Sequence, residues 1–358
     1  MIKQALENAG WFQSPGAYVL VDGQYGSTGK GAVAALFGQL FGDRVNVVTT
    51  NAGPNSGHTG YYQVGGEWRK VITQQIPVMA VVAKALYPRD APVAYLNAGA
   101  VVNPIILRGE ASVHSFNYSN LVLHPNAAVI DYDYETDGAT STDNIASTNK
   151  GVGRALARKV MREANIVANR RQDVAYFSRI NRHEWDWSRD VVFVETAQGF
   201  SLGVNQQFYP YCTSRECTVG QALADAAIPY NQVRKVAMVV RTFPIRVGNT
   251  DKGSSGDYYS DQHETSWGAL GVEPEITTVT KRVRRVFTWS RDQFMDAVVT
   301  NQPDMIFLNF MNYLEEAKRG IFIKEMVADY ETAMRREPEA VLLGYGPLPT
   351  EVKVWGAG

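Results

Sequence analysis

The chain has little cysteine, no excess of charge and no long apolar run. Only two of its 358 residues are cysteines, Cys212 and Cys217. They are not spaced as CxxC, so they imply two reduced thiols and neither a disulfide framework nor a zinc site. Lys and Arg number 35 against 36 Asp and Glu, a net charge of −1. That balance offers no general attraction to nucleic acid or to an anionic membrane, and neither is expected as a partner. No segment has the ~18 apolar residues needed to cross a bilayer. The opening MIKQALENAG lacks a signal-peptide core, so the expected location is the cytoplasm. None of the five histidines lies at metal-ligand spacing, which argues against an imidazole-bound metal.

What remains is an ordinary soluble composition, 45% hydrophobic and 20% charged, with enough length for a large core. Near-continuous apolar runs at Ala17–Val21, Val45–Thr50, Val191–Glu195, Val236–Val240, Asp304–Asn309 and Ala340–Leu343 predict strands covered on both faces. Helical stretches fall between them, at Gly31–Leu40, Gly153–Val167, Val219–Ala227, Arg291–Thr300 and Ile323–Arg336. The alternation predicts an α/β fold: a large, mainly parallel central sheet wrapped by helices, with elaborated active-site loops. No linker composition interrupts it, so residues 1–358 are expected to form one domain. Ser254–Gln262 reads as a polar, mobile loop.

The strongest local signal is VLVDGQYGSTGKG, Val19 to Gly31. An apolar strand enters a glycine-rich turn, and Gly-Lys-Gly opens a helix. Backbone N–H groups at a helix start, together with a lysine, make a phosphate cradle. The spacing is not that of the common P-loop: five residues separate Gly23 from Gly29, and Lys30 precedes Gly31 rather than Ser or Thr. A plain strand-to-helix turn has the same glycine content. Polar clusters follow several predicted strands, namely Asn51–Thr59, Gln198–Gly199, Arg246–Asn249, Asn312 and Gly344–Pro347. Binding residues of open α/β sheets gather at strand C-termini, so one rim assembled from these loops is expected.

Three further segments carry chemistry. His58 sits in a Gly- and Asn-rich loop, where an imidazole can act as general acid or remain merely solvated. Ser147–Gly153, STNKGVG, precedes a helix and offers hydroxyls, N–H groups and Lys150 for a second phosphate, or simply a capped helix end. Thr277–Arg285 is the densest basic run, and alternation puts Arg282 and Arg284 on one face of an extended segment. Two guanidiniums so placed suit a small dicarboxylate, although an exposed charge run looks the same.

In order along the chain stand YGSTGKG (Tyr25–Gly31), NSGHT (Asn55–Thr59), STNKGVG (Ser147–Gly153), AQG (Ala197–Gly199), YPYCTS (Tyr209–Ser214) and TKRVRR (Thr280–Arg285). This set resembles the adenylosuccinate synthetase family, whose usual motifs are WGDEGKG, NAGHT, TTGRGIGP, GAQG, YPYVTSS and TTGRxRR. The resemblance implies a Mg²⁺-dependent homodimeric ligase. A nucleoside triphosphate phosphorylates the 6-oxygen of a purine nucleotide, and L-aspartate then displaces the phosphate. It implies catalytic roles for His58 (general acid), Lys30, Gln198 and the Ser27 position, with Gly57 and Ser27 at the metal. Asn55, Thr148, Gln198, Leu202, Thr213 and Arg282 would surround the substrate nucleotide, and Arg162 would reach the partner subunit's. Thr278, Thr280, Arg282 and Arg284 would serve aspartate. The triphosphate would meet Gly26, Thr28, Gly29, Lys30, Gly31, Gly57, His58 and Thr59, and its base would meet Asn312, Gly344, Gly346 and Pro347.

Two departures narrow the expectation. Ser27 stands where the family keeps the aspartate that removes the purine N1 proton. A short hydroxyl makes room beside the base and can both donate and accept, which fits a 2-aminopurine nucleotide. The same substitution resembles the family's phage branch, whose substrate is dGMP. What then removes the N1 proton is left open, and Asp22 lies nearby. Second, Asn309–Asn312, NFMN, replaces the usual TKLD, whose aspartate reads guanine. An amide pairs with adenine's edge, so ATP or dATP is the expected donor. The alternatives are a conventional enzyme using IMP and GTP, and a non-catalytic nucleotide-binding protein of this fold.

Overall fold

The computed structural model describes residues 1–131, 145–179, 185–277 and 281–356. Its centre is a ten-stranded sheet: β1 Gly16–Asp22, β2 Val47–Thr50, β3 Val93–Leu96, β4 Leu121–Leu123, β5 Ser178–Arg179, β6 Val191–Glu195, β7 Val233–Arg241, β8 Met305–Asn309, β9 Ala340–Gly344 and β10 Val352–Val354. The spatial order is β10-β9-β8-β7-β1-β6-β2-β3-β4-β5. Every pairing is parallel except β9 with β10. The strands expected from apolar runs are all present, and β1 lies near the middle, between β6 and β7.

Alternation along β1 explains its burial on both faces. Tyr18 and Leu20 join one core with Phe37, Phe41, Val48 and Phe193, whereas Ala17, Val19 and Val21 join another with Val194, Met238, Phe294 and Leu308. On the first face lie helices α1 (Lys30–Phe41) and α2 (Val78–Leu86). Their contact is close because Gly38 has no side chain: a Cβ there would sit 3.0 Å from the Met79 carbonyl oxygen. On the other face are α4 (Val219–Ala226), α5 (Arg291–Asn301) and α6 (Glu316–Met334). No helix among the described residues is long and apolar enough to cross a membrane.

Four expectations need correction. The helix expected at Gly153–Val167 is the shorter α3, Val152–Val160; the chain then takes left-handed turns at Arg162 and Asn165, φ 59° and 62°, that no helix tolerates. Helix α6 begins at Glu316, seven residues before the expected Ile323. His58 is not a loop residue but opens a hairpin, His58–Val64 paired with Glu67–Thr73 around Gly65 and Gly66. Gly65 and Gly66, at φ 59° and 88°, make the tight turn between its two strands. Finally, Ser254–Gln262 is pinned, with Ser255, Tyr259 and Gln262 buried and its backbone carbonyls accepting from Arg246 and Arg285.

The aromatic core under β1 and β6 is expected to carry much of the stability. Phe193 packs against Phe12 and Phe37 at centroid distances of 6.0 and 5.8 Å. Phe193→Ala is expected to cost about 3–5 kcal/mol, read from the urea midpoint, and a loss under about 1 kcal/mol would contradict this packing.

Candidate active site

The glycine loop after β1 is organised by Asp22. Its side chain is buried and faces the loop rather than the sheet core. Oδ1 accepts from the backbone N–H of Gln24 at 2.9 Å and of Gly26 at 3.1 Å. Oδ2 accepts from the Thr28 hydroxyl and, at 3.0 Å, from Lys30 Nζ. With both oxygens engaged, and with no place on the cleft wall, Asp22 shapes the loop and is unavailable as a base. Thr28 is likewise turned inward, so its hydroxyl holds the loop and does not face a triphosphate. Lys30 also donates to the Gln198 carbonyl at 2.6 Å, which joins the loop to the end of β6.

Two glycines make this junction possible. A Cβ on Gly199 would overlap the Gly26 nitrogen and the Tyr25 carbonyl carbon. A Cβ on Gly31 would come within 2.7 Å of the Thr59 backbone. The second contact explains the departure from the common P-loop: the hairpin backbone occupies the place where a Ser or Thr side chain would stand.

Ser27 is the one exposed residue of the loop turn and lies at φ 55°. Its carbonyl accepts from Arg241 Nη1 at 3.0 Å. Arg241 is fully buried, forms a two-point ion pair with Glu275 and lies 3.7 Å from the Phe310 ring centroid. Sequence reasoning missed this pair; an arginine ending an apolar strand was its only signal. Asn309, at the end of β8, donates to the Thr28 carbonyl at 2.8 Å. Its side chain also leaves no room for a Cβ on Gly29 or Gly344. Gly344 therefore serves packing here and does not face the cleft.

The strand ends enclose one cleft of about 1090 Å³. It is lined by Gly26, Ser27, Gly29, Lys30 and Gly31, by Asn55, Gly57, His58 and Thr59, by Thr148, Gln198, Leu202 and Thr213, and by Arg284, Asn312, Gly346 and Pro347. The expected rim is thus a single site. Among the described residues, Lys30, Lys150, Arg154, Arg246 and Arg284 face it against one carboxylate, Glu275, a balance suited to anionic ligands. Arg282 is not on the wall: its guanidinium donates to the carbonyls of Ala146, Ser147 and Gly248 at 3.1–3.4 Å. It clamps the loop that carries Thr148, and the two arginines do not present one common face. Arg162 is exposed beyond α3, away from this cleft. Thr278 and Thr280 lie outside the described residues.

His58 is held against the cleft's inner wall. Burial, helped by the Lys30 charge, lowers its pKa to about 3. Its Nε2 is 3.4 Å from Ser56 Oγ, and its Nδ1 is 3.9 Å from Glu195 Oε1. Burial raises Glu195 to about 7, against the pull of two backbone N–H donors and Lys30. Gly199→Ala is expected to weaken nucleoside triphosphate binding by about tenfold or more in calorimetry, with the far-UV spectrum unchanged; an unaltered Kd would contradict the loop packing.

The family model of adenylosuccinate synthetase matches residues 19–184 and 178–332. An N6-succino-2-amino-2′-deoxyadenylate synthase of Vibrio phage phiVC8 is 36% identical, over 94% of this chain and 97% of its own. An adenylosuccinate synthetase of Thermococcus onnurineus is 27% identical, over 91% of each chain. Among solved structures, the succinoaminodeoxyadenylate synthetase of cyanophage S-2L, bound to dGMP and to dATP as energy donor, superposes with a TM-score of 0.81 at 28% identity, over 95% of both chains. The fully ligated adenylosuccinate synthetase of Plasmodium falciparum has the same fold, with a TM-score of 0.74 at 16% identity, over 94% of this chain and 99% of its own. The chain therefore belongs to the adenylosuccinate synthetase family and is a carbon–nitrogen ligase.

Proposed function

We propose that this enzyme joins dGMP to L-aspartate with ATP or dATP as phosphate donor, giving N6-succino-2-amino-2′-deoxyadenylate. The observation that carries the reading is Ser27, a neutral, exposed side chain where the family has a carboxylate, in a loop whose backbone Arg241 holds in place. The phage relatives support it, and so does Asn312 on the cleft wall.

In the first step the purine gives up its N1 proton, to solvent or a substrate phosphate oxygen, as O6 attacks the γ-phosphorus and the nucleoside diphosphate leaves. In the second, the aspartate amine attacks C6 and phosphate departs. Charge develops on the transferring oxygens, and fixed donors aimed at it contribute most to such catalysis. The loop N–H groups and Lys30 would supply those donors. His58, neutral in the unliganded site, would be protonated at Nε2 as the arriving phosphate charge raises its pKa, and would then donate to the phosphate oxygens; Gln198 would bind the purine edge. Arg284 would hold an aspartate carboxylate. Arg282 would act mainly by fixing the Ala146–Ser147 loop beside the nucleotide.

The donor set suits Mg²⁺ held chiefly by substrate phosphates: the Gly57 carbonyl and the Ser27 hydroxyl are hard oxygen ligands, and no cluster of three metal-binding side chains occurs among the described residues. Bound there, the ion would neutralise phosphate charge. Arg162, at the exposed end of α3 beside the largely exposed Val160 and Met161, supports a homodimer in which it reaches the partner's nucleotide. The chain would work in the cytosol of an infected cell.

The test is phosphate release with L-aspartate and Mg²⁺, crossing dGMP or IMP with ATP or GTP. Turnover is expected with dGMP and ATP; none with that pair, or turnover with IMP and GTP alone, would overturn the reading. Ser27→Asp is expected to abolish dGMP use, and undiminished dGMP turnover would count against the steric argument. Asn312→Asp is expected to shift preference from ATP toward GTP by about tenfold, read as the ratio of kcat/KM values.

A further inference from the structure

We propose that Glu195 is the positioning residue of His58: its carboxylate keeps Nδ1 turned to the buried wall and so presents Nε2 to the cleft. The inference rests on reading the cleft as a phosphoryl-transfer site.

Glu195 is the last residue of β6, and its side chain is 2% exposed. It is fixed from outside its own strand. Oε1 accepts from Val78 N at 3.1 Å and Oε2 from Met79 N at 3.2 Å, the first two amides of α2. Helix α2 follows Pro77, which offers no side-chain cap, so Glu195 caps it from the neighbouring strand. A neutral oxygen would cap as well. Burying a carboxylate instead costs several kcal/mol unless its charge has further use. The geometry supplies that use: Oε1, already oriented by the helix, also faces His58 Nδ1 at 3.9 Å. This is longer than a hydrogen bond; catalytic hydrogen bonds are often long before substrate binds and tighten in the complex.

The arrangement is that of a carboxylate behind a working imidazole. Which ring nitrogen carries the proton is set by the bond that the other makes. With Nδ1 turned toward Glu195, Nε2 lies 3.4 Å from Ser56 Oγ, and both His58 and Ser56 line the cleft. Glu195 itself does not line it, so it acts only through His58. The chain of placement is continuous: the two α2 amides fix Glu195, Glu195 fixes the ring, and the ring meets the phosphate.

The test is a double-mutant cycle. Glu195→Gln removes one of the two acceptor oxygens. In the wild-type background it is expected to lower kcat by about 10- to 100-fold, the scale of loss when the carboxylate behind a metal-bound histidine is removed. The KM values for dGMP and ATP should stay within about threefold. In a His58→Asn background the same change should alter kcat by less than about twofold, because the two residues act as one unit. Equal losses in both backgrounds, or an unchanged kcat in the single variant, would overturn the proposal. A two-bond ¹H–¹⁵N spectrum of the unliganded wild type reads the ring directly. A proton on Nδ1 is expected, moving toward Nε2 in Glu195→Gln; a wild-type proton on Nε2 with Nδ1 bare would overturn the proposal. The wild-type spectrum needs no turnover and no variant. A wild-type enzyme inactive with dGMP and ATP would remove the functional reading, while the spectrum would still decide the placement of His58.

Discussion

The site depends on one buried carboxylate. Asp22 ends the strand near the middle of the sheet, and its two oxygens gather the Gln24 and Gly26 amides, the Thr28 hydroxyl and the Lys30 ammonium. An unpaired carboxylate there would be costly; four donors make it the organiser of the loop. Because Lys30 also reaches the Gln198 carbonyl, the same contact ties the loop to β6. From β6 the order passes through Glu195 to α2 and to His58.

A second constraint is steric. Gly199 lets the chain after β6 lie against the phosphate loop, and Gly31 lets the hairpin lie against α1. Both contacts are backbone on backbone, so they admit no side chain. They fix the spacing between His58, Lys30 and Gln198 independently of any ligand. Arg241, clasping Glu275 and the Ser27 carbonyl, completes the frame from the β7 side. Ser27 is then free to vary chemically without the loop changing course.

Much of this was legible in the sequence. The parallel sheet followed from apolar runs, because strands covered on both faces need no polar alternation. The rim followed from polar clusters at strand ends, and Ser27 stood out because the motifs around it were intact. The missing parts are those in which a residue's partner is distant in sequence. Nothing local says that Arg241 meets Glu275, that Glu195 caps a helix more than 100 residues earlier, or that Arg282 turns to backbone carbonyls while Arg284 faces the cleft. The hairpin at His58 was missed for another reason: its glycine-rich approach masks the alternation that begins at His58 itself.

The central claim is that a neutral side chain at position 27 selects a purine bearing a 2-amino group. Comparing dGMP with dIMP, which differ only in that group, isolates it. Calorimetric titration of the wild-type protein with each nucleotide, at matched Mg²⁺, is the most direct measurement. The account predicts that dGMP binds tighter by about tenfold or more, the discrimination of a site built to pair one polar group. Equal affinities, or tighter binding of dIMP, would contradict it.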